Sequence, residues 1–501
     1  MPGSQKAPLC AVAAVLAAAI PSGCAVGPDF QPPQGPDVSG YLAPHGTSAS
    51  PSGRRVLGSL FVTGAEVPSR WWESFQSRHL SELVEQGILH NADLHAAEAA
   101  VRIAQANALA QRGALFPQIG GTWDTTRQLT PTATLTTNSA SGASLYTVHT
   151  PQVSVAYVAD VFGGRRRQVE SAEAAAEAQM FQREGVYLTL TSNIALVAIQ
   201  EASLRGQIAA TRRLISLQTQ LLTTLQRQNS LGQIALPEVV AQETALAQTK
   251  LLLPPLEKQL DQQRNLLATL TGRFPSEGVG ETFQLASLHF PRKLPLSLPA
   301  DLVRQRPDVR AAEQVVRAAN ADIGVAIANR LPQIAITGNG GSAADAISRL
   351  FLPGTGFWLV GANVMQPIFD GGTLRYKQQA AEEGLVLAVA QYRSTVLTAF
   401  QNVADVLGAL QTDARALEAA TAAERSAQRS IDLVQKQVEQ GQVSLPNLLN
   451  AQQAYLMTSL ARVQAQAARL ADIVALFQAL GGGWWNRWEA AVVQANAERE
   501  K

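Results

Sequence analysis

The residue best placed to react is the cysteine at position 24. It follows fourteen consecutive apolar or proline residues, 7–20, which suit the hydrophobic region of an export signal and are too few for a comfortable membrane span. Gly23 directly precedes Cys24, and this resembles the bacterial lipobox, whose cysteine is lipidated, although Pro21 stands where that box usually has leucine. We predict a signal peptide over 1–23 and a lipid on Cys24. The alternative is ordinary cleavage nearby, with Cys24 incidental.

The other reactive residue types form no catalytic arrangement. Cys10 and Cys24 are the only cysteines among 501 residues, which excludes structural disulfides and cysteine metal sites from the mature protein. The six histidines are scattered, and the paired glycines match no nucleotide-binding fingerprint. We therefore predict no enzyme activity, no metal and no cofactor. The formal net charge of +1 gives no reason to expect nucleic acid.

Two similar segments hold the remaining candidate residues. Each places a glycine five residues before a proline, as in LGQIALPEVV (231–240) and QGQVSLPNLL (440–449). Glycine commonly ends a helix and proline commonly begins one, so each segment predicts a turn between two helices. The matched residues are Gly232 with Gly441 and Leu236 with Leu445.

These turns belong to an internal duplication of about 200 residues. Residues 93–119 align without a gap on 308–334 at an offset of 215, with eleven identities. The two turns recur at an offset of 209, and Gly272 recurs as Gly481 at that same offset. We interpret residues 69–285 and 286–484 as two copies of one structural unit. Residues 24–68 are rich in Pro, Gly and Ser and predict an extended linker, and 485–501 form a charged tail.

The spacing of proline predicts very long helices. No proline occurs over 152–236 or 368–445, and the sequence there is rich in good helix formers. The predicted long helices are 164–231 and 372–440, and the predicted shorter ones are 237–271, 300–331 and 446–480.

Two segments with alternating apolar residues precede each long helix. The predicted strands are 117–129, 151–162, 332–340 and 356–369. Alternation with lengths near ten residues suits the tilted strands of a membrane β-barrel, but it also suits a half-buried sheet of a soluble protein.

Five segments together resemble the TolC-like outer-membrane efflux family, within its lipoprotein branch that serves RND-type pumps. The segments are CAVGPDF (24–30), SRWWESF (69–75), SLPADLVRQRPDVRAAE (297–313), QPIFDGG (366–372) and LGGGW (480–484). The resemblance covers the chain from Cys24 to about Trp484.

This resemblance implies a mainly α fold with membrane β-strands. Four strands cannot close a barrel, so a homotrimer would share a twelve-stranded outer-membrane β-barrel above a long periplasmic α-helical tunnel. The implied function is the passive exit duct of a tripartite efflux pump for drugs, metals or other small molecules. The implied partners are a periplasmic adaptor, an inner-membrane RND-type pump and outer-membrane lipid, with the chain lipid-anchored and extending into the periplasm.

By the family's layout, the two turns form the periplasmic tip of the tunnel. Gly232, Leu236, Gly441 and Leu445 match the tip motif, and an exposed leucine there could anchor adaptor helices. The alternative is a plain turn with leucine packed inward. Glu238, Asn447 and Asn450 match gate positions. Three Glu238 carboxylates would form a negative ring that favours cations, whereas the two asparagines replace the commoner aspartate.

Basic and aromatic clusters remain open to two interpretations each. Arg165–Arg167 either lie near anionic lipid at the junction of barrel and tunnel or form a solvated belt. Trp71, Trp72, Trp484 and Trp485 are expected to pack around the middle of the tunnel rather than to anchor at a membrane interface.

Two other functions compete with efflux. One is the outer-membrane duct of a type I protein secretion system, which the lipobox-like start disfavours. The other is a soluble periplasmic coiled-coil scaffold, which has no use for four matched strands.

Overall fold

The computed structural model describes residues 25–36, 38, 40–41, 61–129, 145–291 and 293–487. Cys24 and the expected signal peptide lie outside the described residues, as does the chain beyond Arg487. In chain order the helices and strands are β1 (Phe61–Thr63), α1 (Arg78–His90), α2 (Ala92–Gly113), β2 (Gln118–Leu129), β3 (Leu145–Ala159), α3 (Gly164–Ser230), α4 (Leu236–Leu251), α5 (Leu253–Leu270), β4 (Leu294–Leu296), α6 (Pro299–Gln305), α7 (Pro307–Ala328), β5 (Gln333–Ser342), β6 (Gly356–Met365), α8 (Thr373–Glu439) and α9 (Leu445–Ala479).

Two helices of 67 residues, α3 and α8, are the longest elements. At 1.5 Å per residue each extends about 100 Å. Both lie within one residue of the predicted bounds, because a proline-free run of Ala, Leu, Gln and Glu loses little side-chain freedom in a helix. Among the described residues, no helix is apolar over a long enough stretch to cross a membrane.

An aspartate caps the start of each long helix. The carboxylate of Asp160 accepts the backbone N–H groups of Arg165 and Arg166, both at 2.9 Å. Asp370 accepts those of Gly372 at 2.9 Å and Leu374 at 2.8 Å, and these backbone hydrogen bonds lower its pKa. A negative charge at a helix N-terminus also interacts favourably with the helix dipole. Each aspartate therefore fixes the residue at which its helix begins.

Two predicted helices are broken by proline. The predicted helix 237–271 is α4 and α5, separated at Leu252, because Pro254–Pro255 can occupy only the first turn of a new helix. The predicted helix 300–331 is α6 and α7. Arg306 separates them with φ −81° and ψ 125°, the extended conformation that a residue before proline prefers.

The long strands form one antiparallel sheet in the order β2-β3-β5-β6. Its register places Ile119 opposite Val155, Val155 opposite Gly338 and Gly338 opposite Val360. Side chains that share a face are therefore apolar across all four strands on one side of the sheet. They are Ile119, Trp123, Val153, Val155, Tyr157, Ile334, Ile336, Trp358, Val360 and Val364. This face is largely uncovered within the chain, with Trp358 80% exposed, and the opposite face is mainly polar.

Three strands have bounds that differ from the predicted ones by two residues or more. β3 begins at Leu145 rather than 151, because β2 continues to Leu129 and pairs with it, and it ends at Ala159 rather than 162. β6 ends at Met365 rather than 369, since Pro367 cannot donate to a ladder. β5 runs two residues beyond its predicted end at 340.

The chain folds into two compact units, and neither is one sequence repeat. Of the described residues, the first unit comprises 25–33, 101–129, 145–179 and 312–392, and it contains the four-stranded sheet. The second comprises the described residues of 34–100 and 180–311, together with 393–487. Each unit takes segments from both copies. The duplication therefore defines equivalent elements rather than separate domains, because each copy contributes strands to one unit and helical hairpins to the other.

The predicted extended linker is packed where the structure describes it. In the second unit, β1 pairs in parallel with β4, and Val67 is fully buried. The Tyr41 hydroxyl donates to the carbonyl oxygen of Ser297 at 2.9 Å, and its ring packs on Phe400. Pro and Gly prevent a helix here, but the peptide groups still find partners.

Candidate functional site

Two hairpin turns have the same backbone geometry. The first hairpin turn (231–235) joins α3 to α4, and the second (440–444) joins α8 to α9. Gly232 has φ 71° and Gly441 has φ 69°, the left-handed conformation that glycine adopts without strain. Gly232 donates to the carbonyl oxygen of Asn229 at 2.9 Å, and Gly441 donates to that of Val438 at 3.0 Å. In each turn the residue after the glycine donates its N–H to the carbonyl oxygen five residues earlier. The two turns therefore match in structure as well as in sequence.

The leucines that follow these turns have opposite surroundings. Leu236 is 62% exposed, whereas Leu445 is 6% exposed. Leu445 belongs to an apolar cluster to which both hairpins contribute. The buried members are Leu225, Val239, Ile431, Leu445, Leu448 and Ala451. The expected exposure is therefore wrong for Leu445, because within one chain its side chain fills the space between the hairpins.

The three gate candidates all lie on the surface near the turns. Glu238 is exposed in the first turn of α4, and its N–H donates to the carbonyl oxygen of Ala235. Asn447 is its counterpart in α9, where its side-chain amide donates to the Ser444 hydroxyl at 3.3 Å. Asn450 is exposed one turn later. A carboxylate at one turn and amides at the other give the two hairpins different charge.

A buried glutamine layer next to these turns was missed from the sequence. Gln218 donates through its side-chain amide to the Gln452 side-chain oxygen at 3.2 Å. Gln242 donates through its own to the Gln218 carbonyl oxygen at 2.9 Å. All three side chains are buried. Glutamine is common on every face of these helices, so the sequence carries no signal that singles out the buried ones.

The basic cluster at the start of α3 is bound to other parts of the protein. Arg165 donates to the carbonyl oxygen of Ala114 at 2.8 Å, and Arg166 forms an ion pair with Asp160 at 3.2 Å. Arg167 is buried and contacts the chain around Val26. All three guanidinium groups have protein partners, but only Arg167 is buried, and Arg166 stays exposed.

The two tryptophan segments form part of the core of the second unit. Trp71 and Trp72 are each 1% exposed, and Trp71 stacks on Phe477 with ring centroids 5.4 Å apart. Trp484 packs edge-on against Phe181 and donates its indole N–H to the carbonyl oxygen of Gln305 at 2.6 Å. These rings pack against other parts of the second unit and stabilise the helices.

The first residues of the predicted charged tail are also packed. Arg487 forms an ion pair with the fully buried Glu184 and lies over the Tyr187 ring at 3.6 Å. Arg183 pairs with the same carboxylate. A buried carboxylate needs such cationic partners, so residues 485–487 belong to the fold rather than to a tail.

A carboxyl pair connects α8 to α9. Asp413 lies beside the half-buried Asp472. Burial, together with the like charge of Asp413 and the hydrogen bond that protonated Asp472 donates to it, raises the pKa of Asp472 to about 7. Since the folded-state pKa lies above the ordinary value of 3.8, the folded protein holds this proton more tightly than the unfolded chain. Its contribution to stability therefore falls as the pH rises from about 4 to 7.

Replacing Asp472 by asparagine should stabilise the protein at pH 8. Asparagine cannot ionise and can still donate to Asp413. The stability that the wild type loses between about pH 4 and 7 is therefore kept in the variant. We expect the free energy of unfolding to rise by about 1–2 kcal/mol at pH 8 and to change little at pH 4. The value at pH 8 is kept small because water screens a half-exposed group. Thermal midpoints at the two pH values measure this. Asp432→Asn, on an exposed side chain of α8, is the control and should leave the pH dependence unchanged.

A sheet with an exposed apolar face and two duplicated helical hairpins is the architecture of an outer-membrane channel protein. The chain belongs to the outer membrane efflux protein family, whose profile matches residues 83–273 and 298–482. It is an outer-membrane efflux protein.

Named relatives match over almost the whole chain. The toluene efflux pump outer membrane protein TtgC of Pseudomonas putida is 28% identical over 486 residues, covering 97% of this chain and 98% of the relative. The outer membrane protein OprJ of Pseudomonas aeruginosa is 30% identical over 496 residues, covering 96% and 97%. The pyoverdine export outer membrane protein OpmQ of Pseudomonas aeruginosa is 30% identical over 443 residues, covering 87% and 92%.

Solved channels have the same fold. The outer-membrane channel OprN matches with a TM-score of 0.81 and 25% identity, covering 92% of this chain and 100% of that one. The CmeC outer membrane channel of Campylobacter jejuni matches with a TM-score of 0.82 at 20% identity, covering 92% and 95%. At that identity the second likeness bears on the fold alone.

Proposed function

We propose that three copies of this chain close one twelve-stranded barrel and act as the passive exit duct of a tripartite efflux pump. The supporting observation is the sheet β2-β3-β5-β6. Its edge strands β2 and β6, of 12 and 10 residues, have no partner strand among the described residues. Unpaired edges are too costly in lipid, and the uncovered apolar face suits lipid, so strands from neighbouring copies complete the sheet.

The hairpin turns are the proposed contact with a periplasmic adaptor, through which an inner-membrane RND-type pump delivers its substrate. Leu236 and Leu231 are exposed apolar side chains of this surface, and Gly232 and Gly441 fix the shape of the two turns. Leu445 supports the surface from inside the cluster. The duct conducts drugs, metals or other small molecules that the pump selects. The names of the relatives, which mention toluene and pyoverdine, fit this range.

A lipid on Cys24 is the proposed anchor in the outer membrane. Labelled palmitate should enter the protein and be absent from Cys24→Ala. If the wild type takes up no label, the N-terminus is processed by ordinary cleavage.

The oligomer and the duct are tested together. Outer-membrane fractions should contain heat-modifiable trimers, and the purified trimer should conduct in planar bilayers. A chain lacking residues 1–24 that stays monomeric and soluble without detergent would contradict the duct and support a periplasmic scaffold.

Neutralising Glu238 should lower cation selectivity. Three exposed Glu238 carboxylates near one axis would concentrate cations at the tip, and glutamine keeps the size while it removes the charge. We expect the cation-to-anion permeability ratio of Glu238→Gln to fall by about twofold or more in planar bilayers at low salt. Glu243→Gln, exposed on another face of α4, is the matched control. Equal ratios for the wild type and Glu238→Gln would remove Glu238 from the gate.

A further inference from the structure

One buried arginine holds the segment that directly follows Cys24. Arg167 is 5% exposed, and its guanidinium donates to the carbonyl oxygens of Val26 at 3.2 Å and Gly27 at 3.4 Å. It also donates to the carboxylates of Asp29 at 2.7 Å and Glu170 at 2.8 Å. The Asp29 side chain is 93% exposed, so that ion pair contributes little. The two carbonyl contacts, made by a cation withdrawn from water, contribute more.

Further backbone contacts hold the same segment. The Val26 N–H donates to the carbonyl oxygen of Phe162 at 3.0 Å. The side-chain amide of Asn320 on α7 donates to the carbonyl oxygen of Pro28 at 2.8 Å. Residues 26–29 therefore each have at least one hydrogen-bond partner, which is unusual for a stretch whose composition predicts a free linker.

Glycine allows this segment to approach α7 closely. Gly27 has φ 93°, and a Cβ built on it would lie 2.5 Å from the Cα of Gly324. A Cβ on Gly324 would lie 2.7 Å from the carbonyl oxygen of Val26. Both distances are shorter than any real contact, and the obstructing atoms are backbone. No other residue fits at either position without moving the segment.

The other sequence repeat lacks this site. Leu109 is the residue that aligns with Gly324, and Arg375 aligns with Arg167. Leu109 is 64% exposed, and Arg375 is also exposed rather than buried. A leucine side chain would occupy the space that Gly27 needs. The duplication is therefore broken at this point, and each chain holds one such site.

We propose that residues 25–29 form a strap, and that Arg167, Asn320 and Gly324 fix this strap so that the lipid on Cys24 leaves the protein beside Gly163, just after the end of β3. This deepens the proposed lipid anchor and rests on it. A Cβ built on Gly163 would lie 2.6 Å from the Cα of Ala25, and consecutive Cα atoms are about 3.8 Å apart. Ala25 is thereby held against Gly163, so a lipid on the residue before it would enter the membrane beside the sheet.

A fluorophore two residues beyond the strap tests whether the strap is bound. Cys24 carries the lipid and Cys10 belongs to the expected signal peptide, so Gln31→Cys adds one free, exposed thiol to the full-length trimer. The label should have high anisotropy in the parent protein and lose it in Gly27→Ala and Arg167→Gln. The matched controls are Gly35→Ala, where a Cβ meets nothing within 4 Å, and Arg375→Gln. Both should keep the high value. Unchanged anisotropy in Gly27→Ala would overturn the strap, and that variant alters no helix or strand.

A photoreactive palmitate analogue tests where the lipid leaves the protein. Its crosslinks should concentrate on peptides around Gly163 in the parent protein and fall there several-fold in Gly27→Ala. The same crosslink pattern in both proteins would overturn the positioning role, because a merely structural effect of the strap would leave lipid contacts in place. If the parent takes up no analogue, the lipid anchor itself fails. The anisotropy of Cys24→Ala, expected to stay high, then shows whether the strap binds without it.

Discussion

Replacing Leu236 by aspartate should abolish export in cells that depend on this channel and should leave the channel folded. The side chain is 62% exposed, so in the free protein the charge stays in water and costs the fold little. Against an adaptor helix the carboxylate would lose that water, and an apolar anchor contributes about 2–4 kcal/mol to such an interface. Docking would weaken by roughly thirtyfold or more. Dye efflux and adaptor co-purification, in a strain without its own channel, measure the loss.

The control for this variant is the same substitution at the far end of the same helix. Leu251 is 72% exposed in α4 and lies away from the turn, so Leu251→Asp should export normally. Both variants should give trimers in outer-membrane fractions. Normal export and adaptor capture by Leu236→Asp would contradict docking at the first hairpin turn. Equal loss in both variants would point to a general effect of charge on the hairpin.

Leu445 should behave in the opposite way, although the sequence places it in the same motif. Leu445→Ala removes a side chain from the apolar cluster and should lower the free energy of unfolding by about 2–4 kcal/mol. Adaptor capture by the molecules that remain folded should be close to normal. This contrast separates a surface anchor from a core residue at equivalent positions.

The sequence predicts the long elements better than the surroundings of single side chains. α3 and α8 lie within one residue of prediction, because proline excludes itself from helix interiors and glycine or aspartate marks the ends. The break at Arg306 is not predicted although Pro307 signals it, because the periodic pattern continues across the break. The strand alternation predicts the two faces correctly, but only the register joins the apolar residues of four strands into one surface.

Burial of single residues could not be predicted where the partner is distant in the chain. Arg167 is expected near lipid or water, yet its partner Asp29 lies 138 residues earlier. Leu236 and Leu445 differ in burial because Leu445 faces the other hairpin and Leu236 does not. The strap at Gly27 has a sequence signal in hindsight, since Gly324 replaces the leucine of the other repeat. That signal becomes interpretable only when the two backbones are seen in contact.

The duplication extends to the hydrogen bonds that close each repeat. The Asn91 side-chain amide donates to the carbonyl oxygen of Leu270, the last residue of α5, at 3.1 Å. Arg306, the residue that aligns with Asn91, donates through Nη1 to the carbonyl oxygen of Ala479, the last residue of α9, at 2.9 Å. In both repeats, the residue that precedes one helix therefore caps the end of another. The RPD part of the family segment at 297–313 is explained by this structural role.

Replacing Arg306 by alanine should be the most destabilising change in that segment. The guanidinium is buried, caps α9 and holds both carboxylate oxygens of Asp308, at 3.0 and 2.7 Å. Its removal leaves the Ala479 carbonyl group without this donor and the half-exposed Asp308 carboxylate without its cation, at a cost of about 1–3 kcal/mol. Thermal unfolding of the purified protein measures the loss.

Arg304→Ala is the matched control, because Arg304 is exposed on α6 two residues earlier and should change stability by less than about 0.5 kcal/mol. Arg306→Lys should lie between the two, since an ammonium group cannot hold a carboxylate and a carbonyl group in the same fork geometry. If Arg306→Ala unfolds at the same temperature as Arg304→Ala, the RPD residues are not needed to close the repeat. Their presence at the start of α7 would then need a functional explanation, such as contact with a partner, that docking at the turns does not supply.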